Sequence, residues 1–205
     1  MRAVGRMYAV MCFADRGFVF LSMPKAGSTV LQKHFARHAM ILFRQPPGMK
    51  HMSAATYEAV LAPWLARYGH SRDSYETICL VRHPLERAVS WWKYRGRPEA
   101  QGRPNWTGDL TFAEFADRLI SGEVPLGTSS NFVTDADGKV IVDRMFRYEH
   151  LDAATAWMAE RLGIAPPVLE PTNVSPARDD EMDPATRARL EAHFAKDLTI
   201  YEKAG

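Results

Sequence analysis

Phe18-Val19-Phe20-Leu21 is a short run of strand formers, opened by Gly17. Directly after it the pattern changes. Met23-Pro24-Lys25-Ala26-Gly27-Ser28 reads as a turn, and Val30, Leu31, His34, Phe35 and His38 then recur at helical spacing. Strand, turn and helix in that order put free backbone amides and the positive end of a helix dipole beyond a strand end, an arrangement that suits phosphate. Gly27 lets the backbone approach an anion. Lys25 adds a compact charge, and Ser28 and Thr29 add hydroxyls. The loop is not of the Walker A type, which needs Lys after its last Gly and directly before Ser or Thr; Lys25 precedes Gly27. The same spacing also suits a capped helix after a tight turn, with the lysine in solvent.

A second strand, Ile78-Cys79-Leu80-Val81, ends in Arg82-His83-Pro84, and Pro84 suits the first position of a helix whose apolar face is Leu85, Ala88, Val89 and Trp92. An arginine at a strand end can grip phosphate bidentately. Ser90 lies about two turns into that helix, and Arg87, three residues before it, shares its face. Arg82 equally suits capping a carbonyl or pairing with a surface carboxylate.

The remaining chain alternates in the same way. Met40 to Phe43 reads as a short strand closed by Pro46-Pro47-Gly48. Tyr57, Val60, Leu61, Trp64, Leu65 and Tyr68 form an amphipathic stripe with Ser53 as N-cap, Gly69 as stop and Pro63 as a kink. Arg95 to Asp109 reads as a loop. Thr111-Phe112-Ala113-Glu114 is a capping box, Asp135 to Gly138 a turn, and Val140-Ile141-Val142 a strand. Helices at 151–162 and 184–198 close the chain. The expectation is a single α/β domain over residues 1–205, three layers with a central, mostly parallel sheet flanked by helices. Ligands in such sheets bind beyond the carboxyl ends of the strands, where loops 22–29 and 82–84 fall.

With 26 basic against 24 acidic residues, the chain lacks the footprint of a nucleic-acid binder. No apolar run approaches about 18 residues, so no membrane span is expected. Met7 to Phe13 behind Arg2 and Arg6 has the look of a leader, but Asp15 and Arg16 cut it short. The reading is a cytoplasmic protein. Of the two cysteines, Cys79 sits in an apolar run and reads as a buried free thiol, which suits a reducing compartment.

The run from Phe18 to Thr29 resembles the 5′-phosphosulfate loop of sulfotransferases, and the run from Cys79 to Ser90 resembles their 3′-phosphate motif, in the same order and separation. The flavour is that of the carbohydrate (Golgi-type) sulfotransferases and their bacterial relatives. Arg147-Tyr148-Glu149-His150-Leu151, Asn173-Val174-Ser175 and Asp197 to Tyr201 also resemble recurrent segments there. The resemblance implies a P-loop-like fold and a co-substrate, 3′-phosphoadenosine-5′-phosphosulfate (PAPS). Lys25, Ala26, Gly27, Ser28 and Thr29 would cradle its 5′-phosphosulfate, and Arg82 and Ser90 its 3′-phosphate. The implied reaction is an in-line sulfonyl transfer, without metal, to an acceptor hydroxyl on a glycan, a lipid or another alcohol. Lys25 would stabilise the leaving oxygen.

A general base must take the acceptor's proton, and histidine titrates in the right range. His51 is the first candidate, because some carbohydrate sulfotransferases have a catalytic histidine in a comparable place; His70, His83 or a carboxylate are the alternatives. His34 and His38 stand one turn apart but lack a third ligand, so no metal site is read. Arg95, Arg97 and Arg103 surround a loop bearing Trp106, which suits either an anionic glycan or plain solvation. Two rivals remain. In a nucleotide kinase, Asp143 at the end of Lys139-Val140-Ile141-Val142 would hold magnesium. A non-catalytic module would keep only the nucleotide site.

Overall fold

The computed structural model describes residues 10–43, 46–170, 178 and 181–205. Five strands form one sheet in the order β3-β1-β2-β4-β5. They are β1 (Val10–Phe13), β2 (Phe18–Leu21), β3 (Ile41–Phe43), β4 (Glu76–Val81) and β5 (Arg144–Arg147). β2 pairs parallel with β4, and β4 with β5, whereas β1 runs antiparallel to both β2 and β3. All strands except β1 therefore point the same way, as expected of a mostly parallel sheet. Every residue of β1 and β2 is buried, so both faces of the sheet centre are covered.

The helices are α1 (Ser28–Phe35), α2 (Pro47–Lys50), α3 (Ala54–Thr56), α4 (Ala62–Arg67), α5 (Pro84–Arg95), α6 (Phe112–Ile120), α7 (Ser129–Val133), α8 (Leu151–Leu162), α9 (Pro184–His193) and α10 (Ala195–Lys203). Ser53 caps α3 by accepting from the Thr56 amide at 3.3 Å. A wide π turn, Tyr57–Leu61, joins α3 to α4 and absorbs the amide that Pro63 lacks. Thr111 and Glu114 close the expected capping box on α6. One apolar cluster surrounds the sheet; a second, built on Trp92, Phe112, Phe115 and Leu190, joins α5, α6 and α9.

Several expectations change. Val10–Phe13, part of the leader-like stretch, is an inner strand with no exposed side chain; Arg2, Arg6 and Met7 lie outside the described residues. Val140–Val142 is no strand: Val140 makes only an isolated bridge to Thr134. The strand begins instead at Arg144. The last helix is two, because the chain turns at Phe194, which is buried against Leu190 in the second cluster. Cys12 and Cys79 are free buried thiols, with burial pushing Cys79 up to about 12. Among the described residues no helix is long and apolar enough to cross a membrane.

Candidate functional site

Parallel pairing aligns Leu21 of β2 with Cys79 of β4, and Val81 with Arg147 of β5. Three exits, at residues 22, 82 and 148, thus open on the same edge of the sheet. The first carries the turn to α1. Lys25 and Gly27 both take left-handed backbone conformations, with φ of 64° and 79°. Gly27 is the N-cap of α1, and a Cβ there would lie 2.4 Å from the Tyr148 ring. No other residue fits without displacing that ring. The Ser28 hydroxyl donates to the Met23 carbonyl at 3.1 Å and so closes the turn on itself. What Ser28 offers a ligand is the amide of the first helical turn. Ala26 is buried and Thr29 half-buried at the same helix start.

Lys25 lies against α5. Its ammonium sits 4.2 Å from the Tyr94 ring centroid, and Arg97 stacks on the same ring at 4.8 Å. Burial pushes the Lys25 pKa down to about 7, helped by the positive charges of Arg97 and Arg82. Three cations held this close, one of them largely desolvated, are electrostatically unfavourable until an anion joins them.

The second exit carries Arg82. Its guanidinium stacks on Tyr148 at 4.7 Å and reaches Glu86 at 3.7 Å, while its Nε is buried with no partner among the described residues. Arg87, Ser90 and Tyr94 share one face of α5 by helical spacing. Arg87 is buried and donates to the carbonyls of Pro24 (2.9 Å), Gly127 (3.0 Å) and Leu126 (3.1 Å). Arg87 thus touches the first loop from one side of Ser90, and Tyr94 touches it from the other. Ser90 lies between them in the helical spacing and is half-buried.

His51 follows α2 and is half-buried. Its Nδ1 is 2.7 Å from the Ser22 carbonyl oxygen. A carbonyl only accepts, so Nδ1 carries the proton and the lone pair is on Nε2. Burial lowers the His51 pKa, and Lys50 and Arg87 push the same way. The neutral ring, tied to the first loop, has the form a general base requires. His70 follows α4 ahead of β4, at the opposite end of the strand. His83 packs edge-on against Tyr201 at 5.2 Å.

Asp143 does not suit a magnesium ligand beside the first loop. It precedes β5 and accepts from the Thr77 amide (2.7 Å), the Thr77 hydroxyl (2.9 Å) and Arg72 (2.7 Å), all at the amino end of the sheet. These donors hold its carboxyl below the usual range despite burial. Its strand-end signal was therefore structural, and the kinase reading loses its metal residue. The arginine-rich loop divides: Arg97 joins the Lys25 cluster and Arg95 stacks on Trp91. Arg103 and Trp106 line a separate cleft of about 480 Å³ with Arg118 and Glu123.

Tyr94, Arg87 and Tyr148 were not assigned to the site from the sequence. Helical spacing from Ser90 was the available signal for Tyr94. Asn173-Val174-Ser175 lies outside the described residues.

A model described as the sulfotransferase family matches residues 9–157, well over half of the chain. No curated protein matches the sequence. Among solved structures, a sulfotransferase from Alicyclobacillus acidocaldarius is similar at 16% identity and a TM-score of 0.39, over 72% of this chain and 61% of that one. Mouse sulfotransferase SULT7A1 complexed with PAP is similar at 16% identity and a TM-score of 0.41, over 96% of this chain and 68% of that one.

Proposed function

The chain belongs to the sulfotransferase family, and we propose that it transfers a sulfonyl group from PAPS to an acceptor hydroxyl on a glycan or another alcohol. The observation that carries this is the cation cluster at adjoining strand ends: Lys25 is desolvated beside Arg82 and Arg97, at the N-terminus of α1. An α1-side anion would take the free amides of residues 26 to 29 with Lys25. A second anion would take Arg82 and Ser90. A nucleotide with phosphates at both ends of its ribose satisfies both sites.

In the reaction the acceptor oxygen attacks sulfur in line, and the bond from sulfur to the bridging phosphate oxygen breaks. The electron pair stays on that oxygen, where Lys25 meets the growing charge. His51 Nε2 receives the acceptor proton. The positive charge that faces the leaving group comes from lysine and arginine, and no metal is assigned a role. A nucleotide module without catalysis would need no neutral histidine tied to the first loop, as His51 is through the Ser22 carbonyl.

Adenosine 3′,5′-bisphosphate with EDTA present tests the donor site. Binding to the native state should raise the melting temperature by mass action, by about 2.7 kcal/mol of stability at a hundredfold excess over Kd. No shift at millimolar nucleotide would count against the reading.

A further inference from the structure

The third strand exit has no part in the scheme so far, yet it touches both anion loops. Tyr148 lies on Gly27 of the first loop and under Arg82 of the second. The next residue, Glu149, spans two elements. One carboxylate oxygen accepts from the His83 backbone amide at 3.3 Å, and the other accepts from the Tyr201 hydroxyl at 3.1 Å. Tyr201 belongs to α10, and its ring meets His83 edge-on at 5.2 Å. Arg147 covers the ring's vicinity at 4.7 Å and donates to the Ala204 and Glu202 carbonyls, fastening the end of α10. Farther along α10, the Asp197 carboxylate caps α7 through the Ser129 and Ser130 amides. The last helix is thus tied down at both ends, and Glu149 connects it to the turn that carries Arg82.

We propose that Glu149 is a positioning residue. Braced by Tyr201, it holds the Arg82-His83 turn against the β5 exit, so that Arg82 meets the 3′-phosphate of the donor. The proposal rests on the donor reading above. It gives a role to two segments that resemble recurrent family sequences but were left without one: residues 147–151 and 197–201.

A carboxylate beside an anion site repels the anion, which fixes the sign of the test. Were charge the whole effect, Glu149→Ala would bind bisphosphate more tightly. Positioning predicts the reverse. Titration calorimetry should find adenosine 3′,5′-bisphosphate bound on the order of tenfold more weakly by Glu149→Ala, with adenosine 5′-monophosphate unchanged. Glu149→Gln keeps an oxygen for the His83 amide and should return affinity to within about twofold of the wild type. Tyr201→Phe keeps the ring and loses only the brace, and should weaken the bisphosphate by about threefold. Equal or tighter bisphosphate binding in Glu149→Ala, or an equal loss for both nucleotides, overturns the proposal. If Glu149→Ala does not fold, unchanged affinity in Tyr201→Phe overturns it instead. A wild type that does not prefer bisphosphate over monophosphate contradicts the donor reading itself, a separate result.

Discussion

Lys25 is a charged side chain in a place that disfavours its charge. Its pKa of about 7 in the folded chain lies well below the ordinary 10.5. Between those two values the unfolded chain binds the extra proton, so stability rises as pH rises from 7 toward 10.5. Below pH 7 the ammonium is retained in both states and the folded chain carries the full penalty. Lys25→Met should therefore raise the melting temperature more at pH 6 than at pH 9, while lowering turnover by roughly 10²–10³-fold. A bound dianion reverses the imbalance and draws the proton back. At pH 8, adenosine 3′,5′-bisphosphate should bind with net proton uptake, seen as a dependence of the calorimetric heat on buffer ionisation enthalpy. Uptake of no protons would place the phosphate away from Lys25. For His51 the direction is the same and the consequence different. Its lowered pKa keeps it neutral at pH 7, and the rate should fall as pH drops through that pKa and protonates Nε2. His51→Ala should lose this acid limb and most of the rate but keep nucleotide affinity. A variant that keeps both limb and rate would move the base elsewhere.

At the level of elements, the contact between α5 and the first loop depends on one buried arginine. Arg87 saturates three backbone carbonyls, and burial pushes its own pKa down to about 10. Arg87→Ala removes the donor from all three carbonyls, that of Leu126 buried, that of Pro24 half-buried and that of Gly127 at the surface. The loss should be on the order of 3 kcal/mol in chemical denaturation, with weaker nucleotide binding because Pro24 is no longer held. A loss below 1 kcal/mol would mean that the loop holds itself. Which elements were legible follows from how local their causes are. β2, α1, β4 and α5 announce themselves by apolar period, a glycine and a proline at the correct offsets. β1 has the look of a leader's core and no strand signal of its own, because a strand buried on both faces is simply a continuous apolar run. β5 is hard to see, since Arg144 and Arg147 flank its two apolar residues, of which Phe146 is buried and Met145 only partly so. The break at Phe194 carries no glycine or proline; only the packing of its ring in the second cluster explains it.

Over the whole molecule, the two strand-to-helix turns at 22–29 and 82–84 were readable because each is a local motif. Their meeting was readable only through strand pairing, and the residues that fit them together were not readable at all. Arg87 reaches Pro24 across 63 residues, and Glu149 reaches His83 across 66. Such contacts leave no spacing signature in one sequence. On the function proposed above, this assembled edge performs sulfonyl transfer with Lys25 at the leaving oxygen. The most direct test of that assignment is the acceptor-dependent release of adenosine 3′,5′-bisphosphate from PAPS, measured with EDTA across glycan, lipid and small-alcohol acceptors, for the wild type and Lys25→Ala. Turnover is expected with at least one acceptor class, reduced roughly 10²–10³-fold by Lys25→Ala, a larger loss than the loss in nucleotide affinity. Turnover undiminished in Lys25→Ala, or turnover that requires magnesium, would overturn that assignment.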